Sequence, residues 1–386
     1  MHWIHLPLEW LGLLGLSIAA GYEITALGAI IRWRLQRSAT SAAPLPGVTI
    51  LKPLCGAEPG LYAHLRTFCL LSHPQLQILC GVSDSTDPAL SIVKKLQSEF
   101  PQLALEIVVD SRKHGSNRKV SNLINMAERA RHGVLVISDS DASAGPGYLA
   151  QVIAPLEDAR VGLVTCIYRG VPTQPVYSRL GAMYINEWYM PSVLLAWLFG
   201  HEGFVSGQTM AIRQDTLRAI GGLEAIANHL ADDNRMGELV RGVGQRVVLS
   251  TYLMQAQHHE PDLHVLFRHE LRWMRTLKVL APLSYCFLFV TFSLPLALLC
   301  LAFAIHGQST IAWILFAITV LARLGLHFAH RLLDPRPLLA DLWLLPIRDG
   351  LLCWVWFRAF FKSRVSWRGA EFEVAPDGIM RSLPGQ

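Results

Sequence analysis

The chain has 386 residues, 52% of them hydrophobic, with a mean hydropathy of +0.33 and a formal net charge of +5. That is too apolar for an ordinary soluble protein and points to membrane segments. The charge is modest and its basic residues cluster beside apolar runs, which suits anionic lipid headgroups and leaves nucleic acid off the list of expected partners.

The first apolar stretch, Leu8 to Ile31, carries only Glu9 and Glu23 as charges. It has neither a basic leader nor a small-residue cleavage site, so residues 1–37 are expected to stay as a membrane anchor rather than be cleaved as a signal peptide. Ser38 to Gly47, a run of small residues with prolines, is expected to be a linker. Strands and helices then alternate. Val48 to Leu51, Leu76 to Val82, Leu103 to Val109 and Val134 to Ile137 are expected strands. Pro59 to Leu71, Pro88 to Phe100 and Asn117 to Ala130 are expected helices between them. Such alternation implies an α/β domain with a doubly wound, mostly parallel sheet, assigned to 48–278.

The later part is more apolar. Tyr177 to Phe199 is rich in Tyr, Trp, Met and Leu, and reads either as a core helix or as an amphipathic helix at a membrane surface. Leu230 to Val240 and Leu263 to Leu277 are expected helices. Val279 to Ile305 carries no charge and is long enough to span a bilayer, and Ile311 to Ala329 is nearly as apolar, with Arg323 inside it. Leu338 to Phe361 is interrupted by Asp341, Pro346, Arg348 and Asp349, which favours an interfacial or re-entrant helix pair within 279–361. Residues 362–386 are expected to be a cytoplasmic tail.

Basic residues orient these segments. Arg32, Arg34 and Arg37 follow the first stretch, Arg268, Arg272, Arg275 and Lys278 precede the second, and Arg331 and Arg336 follow the third. Positive flanks face the cytoplasm, so the polar domain between them is expected there. Lys362, Arg364 and Arg368 stay on the same side if the last stretch does not cross. The seven cysteines, Cys55, Cys69, Cys80, Cys166, Cys286, Cys300 and Cys353, form no CxxC pair and are expected as buried free thiols, without a disulfide framework or zinc site.

Asp139-Ser140-Asp141 follows the Val134 strand directly. Ligands of open α/β sheets bind outside the C-terminal ends of the strands. Two acids one residue apart there repel each other, and a divalent cation would relieve that repulsion. Three more sets could converge on the same edge. Asp84 follows the Leu76 strand, with Asp87 placed to cap the next helix and Asp84 left to accept hydrogen bonds from a base or ribose. Asn117, Lys119 and Asn122 open a helix, where an anion is favoured. Asp232-Asp233 and His269-Glu270-Leu271-Arg272-Trp273 come last. Taken singly, each set also has a plain structural reading: a turn, an exposed helix start, a solvated helix face, an interfacial anchor.

In this order the motifs resemble the inverting nucleotide-sugar glycosyltransferases of the GT-A fold, and within them the ceramide glucosyltransferase type, which includes bacterial hopanoid-associated members. VTILKPLCGAEPGL is similar to that family's first strand and loop, GVSDSTDPA to its first aspartate motif, and NRKVSNL to its Asn-x-Lys-x-x-Asn-Leu helix start. DSD resembles its metal-binding motif, GGLEAIANHLADDNRMGELV the segment with its third aspartate, and HELRW its Gln/Arg-x-x-Arg-Trp motif, with His269 where Gln or Arg is usual.

The resemblance implies a GT-A domain between N- and C-terminal transmembrane helices, in the bacterial cytoplasmic membrane. It implies a UDP-sugar donor, a membrane lipid acceptor, and Mg²⁺ or Mn²⁺ held by Asp141 with Asp139. Asp84 would read the uracil-ribose end. Lys119 and Arg272 would stabilise the diphosphate, with Asn117 and His269 also on the donor side. Asp233 would be the general base and Trp273 would pack the site. UDP-glucose with ceramide and UDP-N-acetylglucosamine with a hopanoid both fit. A processive polysaccharide synthase, a haloacid-dehalogenase-like phosphatase and a non-enzymatic membrane scaffold or transporter are the competing readings.

Overall fold

The computed structural model describes residues 2–36, 45–173, 175–201, 203–304, 310–332, 334, 336–361, 364–367, 370–375 and 377–382. Most of the expected linker, and Arg37, Lys362 and Arg368, lie outside the described residues. In chain order the regular elements begin with α1 (His2–Arg34), β1 (Val48–Pro53), α2 (Leu61–Cys69), β2 (Leu76–Val82), α3 (Ala89–Glu99), β3 (Ala104–Val109), α4 (Arg118–Ala127) and β4 (Val134–Ile137). Next are β5 (Ala142–Ser143), α5 (Tyr148–Ile153), β6 (Val161–Pro172), α6 (Val176–Tyr184), α7 (Met190–Leu198), β7 (Met210–Arg213), α8 (Gln214–Ala219), α9 (Asp232–Gly242) and β8 (Arg246–His258). The last are α10 (Leu263–Leu280), α11 (Pro282–Cys286), α12 (Ser293–Ala304), α13 (Thr310–Arg331), α14 (Leu345–Ala359), β9 (Arg364–Trp367), β10 (Ala370–Val374) and β11 (Met380–Ser382).

The chain divides into two compact units. A helical unit comprises Met1–Leu35, Pro172–Gly200 and Glu260–Val365, and a sheet unit comprises Gln36–Val171, His201–His259 and Ser366–Gln386. The linear segment 48–278 is therefore split, with its 172–200 and 260–278 stretches grouped with the apolar helices.

In the sheet unit, eight strands lie in the order β3-β2-β1-β4-β7-β6-β8-β5. β1 pairs in parallel with both β2 and β4, and β2 in parallel with β3. Every residue of β1, β2 and β4 is buried, which explains their unbroken apolar runs: helices cover both faces of a parallel sheet. β3 forms the edge and is only partly buried. Beyond β4 the sheet turns antiparallel, with β7 against β4 and β6 against β7.

In the C-terminal residues β9, β10 and β11 form a three-stranded sheet, and Ile379, just before β11, makes an antiparallel bridge with His229 in the segment before α9.

In the helical unit, Glu9–Arg34 and Thr310–Arg331 are long and apolar enough to cross a membrane. The expected span Val279 to Ile305 is not one helix. α10 stops at Leu280, Ala281 leaves helical geometry, and Pro282 opens a separate short helix. Proline lacks the N–H and its ring disfavours a helical residue before it, a break that hydropathy does not register. Among the described residues α12 covers Ser293–Ala304, and it packs through Ala297, Cys300 and Leu301 with Leu16 and Ala19 of α1 and Ala312 of α13.

Tyr177 to Phe199 is buried over most of its length and exposed at Phe199, its last residue. A π-helical turn, Ile185–Tyr189, joins α6 to α7, and Glu187 within it is buried. Arg323, the one cation inside α13's apolar run, donates to Glu187 at 3.0 Å and to both oxygens of Asp349, while His327 bonds Glu187 at 2.9 Å. Charges in apolar helices persist when paired inward in this way. Leu338 to Phe361 forms one helix of 15 residues, α14, preceded by a short 3₁₀ turn, rather than a helix pair. Two of the cysteines, Cys55 and Cys286, are exposed, contrary to the expected burial.

Arg348 and Glu270 form a buried bidentate pair, with Arg348 Nη2 at 2.7 Å from Glu270 Oε2. Removing one partner strands the other charge, which costs about 3–5 kcal/mol. Glu270→Ala is therefore expected to lower the thermal midpoint of the detergent-purified protein by several degrees. The double variant Glu270→Met with Arg348→Met is expected to recover most of the loss.

Candidate active site

Strand register builds the site. β1 and β4 are parallel with Leu51 opposite Ile137, so Lys52 comes level with Ser138. β4 and β7 are antiparallel with Ile137 opposite Met210, so the residues just before β7 come level with those just after β4. The order β3-β2-β1-β4 makes the β1/β4 boundary the point where chain direction across the sheet reverses, the usual crevice for a ligand. Asp139 and Asp141 sit at that edge.

The Asp139 amide donates to the Gly207 carbonyl, and its carboxylate pairs with Lys119 at 2.8 Å. Asp141 accepts a bond from the Gln208 side chain at 3.2 Å. Burial and the neighbouring Asp139 raise its pKa above the ordinary carboxylate value. Beneath the pair lies Lys52, fully buried, donating to the Asp139 carbonyl at 2.5 Å and resting 3.9 Å from the Phe68 ring centre. Burial brings its pKa down to about 8, against the pull of Asp141 and Asp139. Lys52 thus holds the turn from below while Gly207 and Gln208 hold it from the side.

Lys119 links the two acidic pairs. Besides Asp139 it contacts Asp232 at 3.1 Å. Burial opposes its charge, but Asp139, Asp232 and Asp233 outweigh burial and raise its pKa. Asp233 accepts one backbone N–H from Gly207 at 3.0 Å and another from Asn234 at 2.8 Å. Its pKa rises to about 6, first through burial and then through Asp232, with Lys119 pulling the other way. Gly207 thereby touches both aspartate motifs, donating to one and accepting from the other.

Other expected residues fall differently. Asn117 is fully buried as the N-cap of α4: its Oδ1 accepts from Val120, and its Nδ2 donates to the His229 carbonyl at 2.9 Å and to Asp232 at 3.4 Å. It ties two loops together at the start of α4. Asn122 is also buried, donating to the Gly81 carbonyl. Asp84 is exposed, and one of its oxygens closes its own turn by accepting from the Thr86 amide and hydroxyl. Asp87 caps α3 through Ala89 and also accepts from the Gly56 amide, bracing the loop after β1. His269, Arg272 and Trp273 lie in the helical unit on α10, at spacings that share one helix face. There Arg272 lies 5.9 Å from the Trp273 ring, Trp273 is 5.2 Å from the Tyr184 ring, and His269 reaches Glu260 at 3.3 Å.

This sheet order, with acids at the β4 edge and at the start of α9, is a GT-A glycosyltransferase arrangement, and the profile of glycosyl transferase family 21 matches residues 14–380. The chain belongs to glycosyl transferase family 21. Among its relatives, ceramide glucosyltransferase 1 of Caenorhabditis elegans is 23% identical over 299 residues, covering 74% of this chain and 64% of that protein. The chain thus spans just under two-thirds of that relative. Ceramide glucosyltransferase 3 of the same organism is 22% identical over 361 residues, covering 90% of this chain and 77% of that protein. A mannosyltransferase, PcManGT from Pyrobaculum calidifontis, solved with GDP-Man and Mn²⁺, superposes with a TM-score of 0.57 at 19% identity over 92% of this chain and 99% of that one. That likeness shows the shared fold.

Among the described residues of this family 21 protein, no three His, Cys, Asp or Glu side chains gather into a metal cage. Two carboxylates fit another kind of site. Mg²⁺ and its like are usually bound through one or two carboxylates, with the remaining ligands from phosphates and water. Asp141, burdened by burial and by Asp139, has the donor chemistry for that role.

Lys52, Gly207 and Gln208 are the site residues that sequence reasoning missed. A Cβ on Gly207 would lie 2.7 Å from Asp139 Oδ2 and 3.0 Å from Lys119 Nζ. Gly207→Ala must therefore push the Asp139–Lys119 pair aside. A displacement on the order of 1 Å costs up to about 10²-fold in turnover. A steady-state assay of glycosyl transfer is expected to show that loss while the thermal midpoint stays close to wild type.

Proposed function

We propose that the protein transfers a single sugar from a UDP-sugar to a hydroxyl of a membrane lipid, with inversion at the anomeric carbon. Asp233 is the observation that carries this reading: a carboxylate in the first turn of α9, held by two backbone N–H groups, with its pKa raised to about 6. A general base works best with a pKa close to the operating pH. Asp233 takes the acceptor hydroxyl proton as the oxygen attacks the anomeric carbon and the UDP leaves. Lys119, already poised between carboxylates, offers its ammonium to the diphosphate. Arg272 and Trp273 serve the same donor as the family motif implies, and Asp84 offers its free oxygen to the uracil-ribose end. A divalent cation held by Asp141 and Asp139 would supply charge neutralisation for the leaving diphosphate.

The acceptor reading rests on the two long apolar helices and on the named ceramide glucosyltransferase relatives. Arg32 and Arg34 close α1 and Arg331 closes α13, which supports a sheet unit facing the cytoplasm, in a bacterial membrane on the hopanoid-type reading. The test is lipid mass spectrometry on the purified protein, supplied with UDP-glucose and ceramide or with UDP-N-acetylglucosamine and a hopanoid. One β-linked sugar on one lipid is the expected product. A polymer ladder, or no glycolipid with any pairing, overturns the reading.

The pH dependence follows with a definite sign. Asp233 must be ionised to act, so kcat/KM is expected to climb about tenfold per pH unit below about 6 and level off above it. A rate that falls as pH rises from 5 to 7 would remove Asp233 from the role of base.

A further inference from the structure

The C-terminal β-strand reaches the catalytic loops through backbone bonds. Segment 227–231 leads directly into α9, whose first turn holds Asp232 and Asp233. β11 lies along that segment. The Met380 amide donates to the Asn228 carbonyl at 2.8 Å, and the Leu230 amide donates to the Gly378 carbonyl at 3.0 Å. Gly378 turns the chain with a φ of 82°, in the left-handed region that favours glycine. The same short strand also holds the start of α4. Ser116 Oγ, with its single proton, lies within donating distance of the Met380 carbonyl at 2.9 Å and of Asn228 Oδ1 at 3.0 Å, and the Ser116 amide donates to Asn228 Oδ1 at 2.9 Å. One residue on, the Asn117 amide donates to the Ala227 carbonyl at 2.9 Å. Met380 is almost completely buried.

Two chemistry-bearing helix starts therefore share one staple. α4 carries Lys119, α9 carries Asp232 and Asp233, and residues 378–380 are bonded to the loops that precede both. We propose that this C-terminal segment is a positioning element for the reaction, fixing Lys119 against Asp232 and Asp233 from the far end of the chain. The proposal rests on Asp233 being the base.

Residues 378 and 380 enter the staple through backbone groups, so side-chain changes at 380 leave it intact while loss of the 380 amide removes its bond to the Asn228 carbonyl. Met380→Pro removes the donor to Asn228 and Met380→Leu keeps it. A milder variant, Ser116→Ala, deletes only the hydroxyl bonds, and Ser116→Thr restores a hydroxyl. Hydrogen–deuterium exchange on the full-length, detergent-purified protein reads the staple without any activity. Met380→Pro is expected to speed exchange of the 227–234 amides while leaving β1, β2 and β4 protected, and Met380→Leu is expected to match wild type. Unchanged exchange at 227–234 overturns the staple.

Kinetics read its purpose. Turnover of a UDP-sugar is expected to drop by about 10- to 100-fold in Met380→Pro, with a smaller drop in Ser116→Ala that Ser116→Thr rescues. UDP should still bind one-to-one, which excludes a merely unfolded fraction. Faster exchange with unchanged turnover overturns the positioning role. Faster exchange in a protein whose wild type transfers no sugar overturns the proposed reaction and, with it, any positioning for that reaction.

Discussion

Asp233→Asn is expected to lower turnover by about a thousandfold, the middle of the range for losing a positioned general base, while UDP binding persists. The substitution is close to isosteric. Asp233 accepts from Gly207 and from Asn234, and an asparagine can satisfy only one of those donors through its single oxygen. The unpaired N–H costs about 1–3 kcal/mol, which a protein of this size tolerates as a shift in thermal midpoint. Activity and stability therefore separate: the large loss falls on the chemical step. The acid limb near pH 6 should vanish with the carboxyl that causes it. Asp232→Asn checks the same assignment from the side. Its charge is the second cause of the raised Asp233 pKa, so removing it moves the limb toward lower pH. The measurement is kcat/KM against pH for wild type and both variants, beside calorimetric UDP titrations. An Asp233→Asn protein that binds UDP and keeps wild-type turnover would sink the assignment.

The parts of this molecule written in local pattern were legible from sequence. β1, β2 and β4 are buried on both faces, so their apolar runs stand out, and the acids that follow β4 stand at a ligand edge by simple continuation. The parallel order of the first strands followed from helices alternating with strands. Lys52, Gly207 and Gln208 were not legible because they reach the acids through strand pairing. Lys52 arrives through the β1–β4 register and Gly207 through the antiparallel β4–β7 register, in a region where the alternation had lapsed. Asn117 opens α4, a position that caps and anion sites share, and its bond to the His229 carbonyl comes from a loop contact that sequence does not display. Hydropathy misjudged 279–305 for a different reason: it sums side chains and does not see a backbone broken at Ala281-Pro282. The C-terminal strands are short and partly polar, so nothing local announced that they pair with a loop about 150 residues earlier in the chain.

Chelation with EDTA is expected to remove transfer activity, with Mn²⁺ or Mg²⁺ restoring it, and Asp141→Asn is expected to raise the metal concentration needed by at least about tenfold. The two carboxylates of the DSD motif do not contribute equally. The Asp139 carboxylate is already paired with Lys119 at 2.8 Å, so substituting it disturbs a cation as well as a ligand. Among the described residues the Asp141 carboxylate accepts from the Gln208 amide, a neutral donor that an asparagine oxygen can still satisfy. Asp141→Asn is thus the cleaner variant for the metal, and Asp139→Asn is expected to depress donor binding as well. The readout beyond activity is calorimetric: UDP binding to wild type should tighten when Mn²⁺ is present and respond far less in Asp141→Asn. Proton competition gives this a sign. Burial and Asp139 raise the Asp141 pKa, so a cation must displace a proton that clings more tightly than in an ordinary carboxyl. Metal affinity should therefore weaken as pH falls, and the Mn²⁺ dependence of UDP binding should fade on the acid side. UDP affinity indifferent to both metal and pH would take the cation away from Asp139 and Asp141 and leave Lys119 as the site's own counter-charge to the diphosphate.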